Sequence, residues 1–553
     1  MIAHKLPSPT EFRKLLGAAL GPEVGFLWVI VIYSAAISLL SLAIPISVQL
    51  LIDTVANTGM LSAVVTLGLV LFGLLVISGV LYALRAWCME LFNRRLFSRL
   101  TSEISMVGLM SPAGWFEQAS HRALFNRFFD IMTVKKNTPY LLSQCFTLLF
   151  QSILGFVVVS LYHSYFLVFS LVLICLIWLV WKLWGWKATE AAFELSEVKH
   201  ETAYWLQHMA TNNDFLKTSD LHLYALKTTN ESIGHFLSAQ QKHFRYSYAQ
   251  LISFLMLYAM ASAALLGIGG WLVLQGQMTL GQLVSAELIL SAIFYGLPQL
   301  SGYLDYYYDL CAAVEELSRF KHVDQEGDHG LEPVNASTGQ LVAEDLEFTI
   351  ESLPVAVNLD IPPGTLVRFH CNGKVCSTEV GKILAREEQS TSGTLRLGEL
   401  DLLDCPLPLL RKSLVLLSRV KLLSMSIRSY LQLANHDCTE GTIRKLLAET
   451  GLMDIVSKLP AGMDTVLAPE GQPLTVEQTV RLRLAFALLS APAIIVLDEV
   501  CDSLHEDVRK RMLQMFLAKG CIVLYGGNAP LETGYSVLEL DIRTGTQNAE
   551  RLM

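Results

Sequence analysis

The chain has few charged residues for its length. Of its 553 residues, 16% are charged and 52% are hydrophobic, and the mean hydropathy is +0.44. A soluble protein of this size carries more charge on its surface, so we expect part of the chain to lie in a bilayer. The length also exceeds that of a single domain, so we expect more than one.

A basic excess and a cysteine framework are also missing. The formal net charge is -9 and the pI is near 5.8, so the chain lacks the positive surface that binds phosphate backbones, which excludes nucleic acid as a partner. The ten cysteines include no CxxC pair and no histidine partners at metal-binding spacing. This pattern argues against a zinc site or a disulfide framework, and for reduced thiols facing a cytoplasm.

Lysine and arginine are absent from three long stretches, residues 17–84, 137–181 and 246–318. Six apolar runs fall mostly inside these stretches, and each is long enough to cross about 30 Å of hydrocarbon. The predicted spans are residues 24–51, 61–84, 139–161, 165–184, 251–274 and 280–300. Basic residues crowd the second and fourth connections. By the positive-inside rule these connections, the N-terminus and everything after Arg319 are predicted to be cytoplasmic.

Two further features belong to the membrane half. Residues 11–20 carry apolar side chains at helical spacing, which predicts either a short helix on the membrane surface or an ordinary amphipathic turn. Glu287 is an ionisable residue inside the last predicted span. It is a candidate residue of a transport pathway; the alternative is that it lies near the outer surface or pairs with a neighbouring helix.

The composition changes after the last span. Residues 321–338 are polar, contain glycine and proline and lack periodicity, which is typical of a linker. Beyond them an α/β pattern begins, with strands predicted at residues 341–350, 356–361, 365–370, 414–417, 494–497 and 522–525. The fifth of these ends in Asp498 and Glu499. Nucleotide-binding folds use such a strand to place a metal-holding acid beside a water-activating acid.

The stretch 474–505, LTVEQTVRLRLAFALLSAPAIIVLDEVCDSLH, resembles the signature helix, Walker B strand and D-loop of an ABC transporter ATPase domain. Six spans with two long basic connections resemble the transmembrane domain of the ABC exporter type. The resemblance implies a multidomain membrane protein, with a six-helix α-helical transmembrane domain followed by an α/β P-loop NTPase-like domain. Its expected segments are an N-terminal interfacial segment 1–22, the transmembrane domain 23–320, the linker 321–338 and a degenerate nucleotide-binding domain 339–553.

The phosphate-binding loop departs from the family's Walker A pattern GxxGxGK[ST]. Aligned on Ser377 and Thr378, the loop keeps only Gly373 of three glycines and has Cys376 at the lysine position. Ser377 remains as the hydroxyl that would hold Mg²⁺, and Lys374 is the candidate substitute for the lysine. Because the loop loses backbone donors and a cation that contact phosphate, the resemblance implies weak or absent ATP binding here and no hydrolysis by this chain alone.

Other nucleotide positions are altered as well. Ile350 stands near the position of the aromatic residue that stacks on adenine, and Gly527 at that of the switch histidine. The signature LSGGQ reads LTVEQ, which keeps Thr475 and Gln478 as equivalents of ATP contacts. Asp498 aligns with the Mg²⁺-holding acid of the Walker B motif. The adjacent glutamate, Glu499, occupies the catalytic base position, where we expect it to be idle.

The resemblance also implies a partner, because ABC ATPase domains pair head to tail. A second ABC subunit is expected, in a heterodimer by preference or else a homodimer, with ATP and Mg²⁺ bound where the partner supplies the site. The leading hypothesis is the degenerate half of a heteromeric exporter in the inner membrane, for a peptide, protein or amphipathic cargo. Type I secretion, with a periplasmic adaptor as a further candidate partner, is a plausible setting. The alternatives are a non-hydrolysing scaffold or regulatory subunit and a lone active ATPase with unusual residues.

Overall fold

The computed structural model describes residues 9–57, 61–117, 121, 123–218, 220–326, 339–350, 353–371, 374–387, 392–402, 405–417, 422–529, 537–542 and 550–551. The chain divides into two compact units, Met1–Gln325 and Glu326–Met553. The first is helical and the second is α/β. Each unit is described by itself.

Long helices make up the first unit. Their bounds are α1 Pro9–Leu20, α2 Val24–Ser41, α3 Ala43–Asn57, α4 Leu61–Met110, α5 Asp130–Tyr140, α6 Phe146–Tyr162, α7 Ser164–Thr211, α8 Leu221–Leu274 and α9 Leu280–Ser318. Within the described residues, six helical stretches are long and apolar enough to cross a membrane. The prediction of six spans is confirmed, and the protein is a multi-pass membrane protein with six candidate spans.

Three of these helices are much longer than a bilayer is thick. The helices α4, α7 and α8 contain 50, 48 and 54 residues. At about 1.5 Å per residue each exceeds 70 Å, more than twice the roughly 30 Å of hydrocarbon. These helices therefore continue well beyond the membrane, as the two long polar connections predict.

The first span is divided, which differs from the single run predicted. Its two helices, α2 and α3, meet at Leu42, and Pro45 lies in the first turn of α3. Proline has no N–H to donate and is tolerated in a first turn, where the N–H lacks a partner inside the helix anyway. A new helix thus begins inside a continuous apolar sequence.

The apolar face of α1 contacts protein. Leu20 is buried, and Leu15, Leu16 and Ala19 pack against a cluster that includes Leu100 of α4 and Val314 of α9. These contacts tie the start of the chain to two of the long helices. The proposed membrane-surface position of this segment stays a prediction.

Arg85 lies inside the helical unit, although the sequence groups it with an exposed basic connection. The side chain is 3% exposed. Its Nη1 donates to Thr147 Oγ1 at 2.7 Å, Ser34 Oγ at 3.2 Å and the Ser143 carbonyl at 3.3 Å. Ser143 belongs to a π-helical turn, Leu141–Cys145, that precedes α6. One guanidinium therefore links α2, α4 and this turn, since a buried charge needs hydrogen-bond partners.

The second unit contains two sheets. Its strands are β1 Leu341–Ile350, β2 Leu353–Ile361, β3 Leu366–Cys371, β4 Lys374–Val375, β5 Ser392–Leu397, β6 Leu400–Asp401, β7 Leu414–Leu417, β8 Ile494–Leu497, β9 Ile522–Tyr525, β10 Val537–Ile542 and β11 Glu550–Arg551. The smaller, antiparallel sheet has the order β2-β1-β5-β6. The larger sheet has the order β11-β10-β3-β9-β8-β7, with β4 paired to β3. Strands β10, β3, β9, β8 and β7 run parallel.

Helices enclose the centre of the larger sheet. Every residue of β8 and β9 is buried, which explains why these strands are continuously apolar rather than alternating. The helices of this unit are α10 Ser377–Leu384, α11 Leu407–Ser413, α12 Ile427–Ala434, α13 Glu440–Glu449, α14 Met453–Lys458, α15 Val476–Ser490 and α16 Glu506–Ala518. The predicted fold class, a six-helix membrane domain followed by an α/β domain, is confirmed.

We predict that Arg85→Ala destabilises the full chain by about 1–3 kcal/mol, because Thr147, Ser34 and the Ser143 carbonyl lose a charged donor. The midpoint of thermal unfolding in lipid nanodiscs, followed by intrinsic fluorescence, measures the effect. Arg94→Ala is the matched control, since Arg94 lies on the same helix with a side chain 71% exposed and bonded to Glu90. Equal midpoints for the two variants would contradict the role given to Arg85.

Candidate functional site

The carboxyl ends of β3, β9 and β8 meet at one edge of the larger sheet. These strands are parallel neighbours, so the residues that follow them come together. The edge carries α10 after β3, Asp498 and Glu499 after β8, and Gly526 and Gly527 after β9. This is the place where a ligand binds in many sheets of this kind, so its polar groups decide what the domain can do.

A short hairpin occupies the position of the expected phosphate-binding loop. Strand β4 pairs antiparallel with β3, with His370 opposite Val375 and Cys371 opposite Lys374. The N–H of Cys376 donates to the Phe369 carbonyl at 2.8 Å. A phosphate cradle instead needs successive N–H groups turned toward the ligand. The described backbone of this segment therefore faces its own strand.

Cys376 corrects one expectation from the sequence. It is disulfide-bonded and 4% exposed, whereas the spacing of the cysteines predicts reduced thiols. The physical reason is local, because the hairpin returns the chain to β3 and holds Cys376 against that strand rather than in an open loop. Free thiols are found, as expected, at the following positions: Cys88, Cys145, Cys175, Cys311, Cys405, Cys438, Cys501 and Cys521.

Ser377 is completely buried, and its hydroxyl joins two strands. The Oγ atom accepts from the Phe369 N–H at 2.9 Å and donates to the Tyr525 carbonyl at 2.8 Å. It thereby bridges β3 and β9 where their ladder ends. The neighbouring Thr378 donates from Oγ1 to Asp498 Oδ1 at 2.7 Å. The hydroxyl beside the Walker B acid is thus that of Thr378, and Ser377 has a structural contact.

The two acids after β8 also accept hydrogen bonds from the chain itself. Asp498 Oδ1 accepts from the Glu499 N–H at 2.8 Å, in addition to Thr378. Glu499 Oε1 accepts from Asn528 Nδ2 at 3.2 Å. Each predicted catalytic or metal-holding carboxylate therefore has an internal donor.

Asp502 links residues at this edge through hydrogen bonds, and the sequence patterns do not reveal its role. Its Oδ2 accepts from the Asn528 N–H at 2.8 Å and the Ala529 N–H at 3.2 Å, and its Oδ1 accepts from the Tyr525 hydroxyl. Burial, and then this hydrogen bond, raise the pKa of Tyr525, so the phenol stays protonated and donates. Asp502 and Asn528 are 26 residues apart, and no local pattern reveals such a pairing.

The contacts of Asp502 require glycine at position 527. A Cβ atom at this position would collide with Asp502 Oδ1 and lie 2.8 Å from the Tyr525 hydroxyl oxygen. Any side chain here is therefore incompatible with the Asp502 contacts. Glycine at position 527 and aspartate at position 502 form a matched pair.

The LTVEQ segment forms the start of α15. Thr475 and Gln478 make a capping box, in which Thr475 Oγ1 accepts from the Gln478 N–H at 3.3 Å and Gln478 Oε1 accepts from the Thr475 N–H at 3.0 Å. Glu477 bonds to Arg481 and accepts from the His505 N–H at 3.3 Å. The Arg481 hydrogen bond lowers the pKa of Glu477, so a negative carboxylate stands near the N-terminus of this helix.

Some of the remaining predicted site residues lie wholly or partly outside the described residues. Gly373 lies outside the described residues, and the side chains of Lys374 and Ile350 are also outside them. Glu287 in α9 accepts from Ser291 Oγ at 3.1 Å through Oε1, and its buried Oε2 has no partner among the described residues. Its role in a transport pathway stays a prediction.

The described polar groups at this edge are hydrogen-bonded within the chain. Ser377 is buried between strands, and Thr378 and Asn528 donate to the two acids. The Cys376 N–H faces Phe369, and Asp502 excludes a side chain at position 527. Binding a phosphate here would require breaking several internal hydrogen bonds, so we derive no catalytic step at this edge.

Comparison with known proteins agrees with the architecture. Six long apolar helices followed by an α/β domain with a largely parallel sheet are consistent with an ABC exporter architecture. Residues 27–297 match the family model of the ABC transporter transmembrane region, and this segment belongs to that family. The matched transmembrane region is thus followed by an α/β domain whose parallel sheet is consistent with an ABC ATPase domain.

Named relatives include two flippases and a multidrug-type protein. The ATP-dependent lipid A-core flippase of Vibrio vulnificus strain YJ016 is 23% identical over 80% of this chain and 77% of its own length. That of Chromobacterium violaceum is 25% identical over 47% of this chain and 46% of its own length. The multidrug resistance-like ATP-binding protein MdlA of Escherichia coli K12 is 26% identical over 46% of this chain. This match covers 44% of MdlA, so the chain spans less than half of the last two relatives.

We predict that Gly527→Ala destabilises the end of β9 by about 1–3 kcal/mol, because the new methyl group displaces the Asp502 carboxylate. The double change Gly527→Ala with Asp502→Ala should cost less than the sum of the two single changes. Hydrogen exchange of residues 522–529 in the full chain measures these effects.

Gly441→Ala is the control for this series. A Cβ at Gly441, on helix α13, has its nearest neighbour at 3.9 Å, so we expect no destabilisation. Additive effects of the Gly527 and Asp502 changes would contradict the coupling.

Proposed function

We propose that this chain is the catalytically degenerate subunit of a heteromeric ABC exporter in the inner membrane, with its long connections and α/β domain in the cytoplasm. The observation that carries the proposal is the carboxyl edge of the larger sheet. There Ser377, Thr378 and Asp502 bind other groups of the same chain. The sheet of this domain is packed, and the polar groups at its ligand-binding edge are hydrogen-bonded within the chain. Such a domain suits a structural role beside a subunit that hydrolyses ATP.

In this arrangement the partner supplies the phosphate-binding loop and this chain supplies the start of α15. Thr475 and Gln478 hold that helix start in a defined conformation through their capping box. ATP and Mg²⁺ would bind at the partner's loop. The names of the relatives, ATP-dependent flippases among them, support use of ATP by the complex.

The cargo is an amphipathic molecule, a peptide or a protein. Relatives named for lipid A-core transport and for multidrug resistance support an amphipathic cargo. Half-transporters of the exporter type form dimers, so a second ABC subunit is part of the proposal. A periplasmic adaptor and a type I secretion setting stay open within it, and the segments 1–22, 23–320, 321–338 and 339–553 remain the proposed domains.

Glu477 favours a second candidate function, a non-hydrolysing scaffold or regulatory subunit. Its carboxylate stands near the N-terminus of α15, where the family signature has glycine. A negative charge there repels the phosphates of a nucleotide that a partner presents. If this repulsion prevents nucleotide binding, neither of the ATP sites formed between the two subunits hydrolyses ATP.

ATP turnover by purified chain in lipid nanodiscs, alone and with the ABC subunit that co-purifies, separates these candidates. We predict no turnover by the chain alone and turnover in the mixed complex, lost when the lysine of the partner's Walker A motif is changed to alanine. Glu449→Gln, on the exposed surface of α13, is the control for Glu499→Gln, because both changes remove one negative charge.

Three other results would distinguish the candidates. Turnover by this chain alone that Glu499→Gln abolishes would contradict the proposal, because Glu499 would then act as a catalytic base. Inactivity of both preparations would favour the scaffold. A Glu477→Gly change that restores turnover to a silent mixed complex would assign the silence to that carboxylate.

A further inference from the structure

The part of α8 that precedes its predicted span carries exposed apolar side chains. The predicted span begins at residue 251, so residues 221–250, roughly 45 Å of helix, come before it. Six large apolar side chains in this part are 46–66% exposed, and together they are called the α8 stripe: Leu223, Leu226, Ile233, Leu237, Phe244 and Tyr248. Contiguous exposed apolar surface of this kind marks an interaction site.

Helix geometry places the α8 stripe on one face. At about 100° per residue, all six side chains point within about 40° of the direction of Leu237. Side chains that are buried, or bonded to α7, point about 80–160° away on one side: Ala225, Thr229, Ser232, Ala239 and Ser247. The exposed polar residues Glu231, His235 and Lys242 point about 120–160° away on the other side. The stripe is therefore separate from the packing face and from the polar face.

Lipid does not reach most of the α8 stripe. The helix is continuous from Leu221 to Leu274 and contains no proline, so the part before the span points away from the membrane. Leu226 lies roughly 37 Å along the helix from residue 251, and Phe244 roughly 10 Å. Apolar side chains at a spacing of three and four residues are those by which helices pack together. The stripe therefore has the pattern of a helix–helix contact with another protein segment.

One margin of the α8 stripe is cationic. Lys227 and Arg245 are exposed, and both point about 80° from Leu237 on the side of the polar face. Lys227 has Glu231 at 4.0 Å, and Arg245 forms no ion pair within the described residues. A helix that packs on the stripe with carboxylates along this margin would pair with both cations.

The α8 helix of a second copy does not supply those carboxylates. Two copies in one bilayer have the same orientation, so symmetric packing of their stripes is parallel. The cationic margin of one α8 then meets the opposite margin of the other. That opposite margin has no acidic residue; its members are Thr229, Phe236, Gln240 and His243. A different subunit can carry Asp or Glu at this place, so the charges favour it over a second copy.

We propose that the α8 stripe packs against a helix of the second ABC subunit, and that Lys227 and Arg245 select this subunit over a second copy of the chain. The contacting helix has apolar residues at the same spacing and carboxylates beside them. Phe244 and Tyr248, whose ring centroids are 5.4 Å apart, provide a paired aromatic surface at the membrane end of the contact. This inference rests on the proposed heteromeric function and names the surface that the partner contacts.

Photo-crosslinking in native membranes tests the proposal. The full chain carries p-benzoylphenylalanine in place of Leu237, and mass spectrometry identifies the peptide attached after irradiation. We expect a peptide from a helix of a second ABC subunit, with Asp or Glu beside its apolar positions. The control carries the same group in place of Ser238, which points about 100° from Leu237 toward the polar face and should give at most about a tenth of the product.

The variant Arg245→Glu tests the role of charge. It should reduce recovery of the second ABC subunit with the purified chain about tenfold, because the margin then repels carboxylates. The control Lys217→Glu makes the same change of charge at an exposed lysine outside the stripe and should leave recovery unchanged. Unchanged recovery with Arg245→Glu, or equal loss with both variants, would overturn the selection by charge.

A crosslinked peptide from this chain, or from a protein outside the ABC family, would overturn the proposal. Equal products at positions 237 and 238 would do the same. A mixed complex that hydrolyses ATP without the crosslink at Leu237 would overturn only this inference. A mixed complex that gives the crosslink without ATP turnover would count against the proposed exporter function and leave this surface intact.

Discussion

Hydrogen bonds within the chain satisfy the polar groups at the carboxyl edge of the larger sheet. Ser377 bridges β3 and β9, Thr378 donates to Asp498, and Asp502 accepts from two backbone N–H groups after β9. A buried polar group without a partner costs about 1–3 kcal/mol, so these internal hydrogen bonds stabilise the sheet edge. These contacts connect the ends of β3, β8 and β9.

The same requirement shapes the helical unit. Within hydrocarbon the backbone satisfies itself only as helix, and charges must find partners or leave the layer. Arg85 satisfies the rule with Ser34, Thr147 and the Ser143 carbonyl. The helices α4, α7 and α8 then carry the chain far from the membrane.

The sequence predicts much of this architecture because its signals are local. Charge-free apolar runs mark the six spans, and the strands Leu414–Leu417, Ile494–Leu497 and Ile522–Tyr525 occur at the predicted residues. The last two of these strands are buried on both faces, so their continuous apolar composition identifies them.

The features that the sequence does not reveal depend on distant contacts or on backbone geometry. The Asp502 contacts join residues after two different strands, and the hairpin of β3 and β4 appears where family resemblance implies an open loop. The disulfide bond of Cys376 and the burial of Arg85 likewise depend on distant contacts or backbone geometry. Motif alignment names Ser377 as the hydroxyl that would hold Mg²⁺, which stays a prediction, and it does not reveal the Thr378–Asp498 hydrogen bond. Only packing decides between adjacent hydroxyls.

Equilibrium binding of a fluorescent ATP analogue with Mg²⁺ to the purified full chain in nanodiscs tests the central claim most directly. The account predicts no saturable binding up to about 1 mM, because the polar groups of the site are bonded within the chain. Saturable binding at micromolar concentration, displaced by ATP and abolished by Thr378→Ala, would contradict it. In that case the internal hydrogen bonds at this edge would be those of a functioning nucleotide site in its empty state.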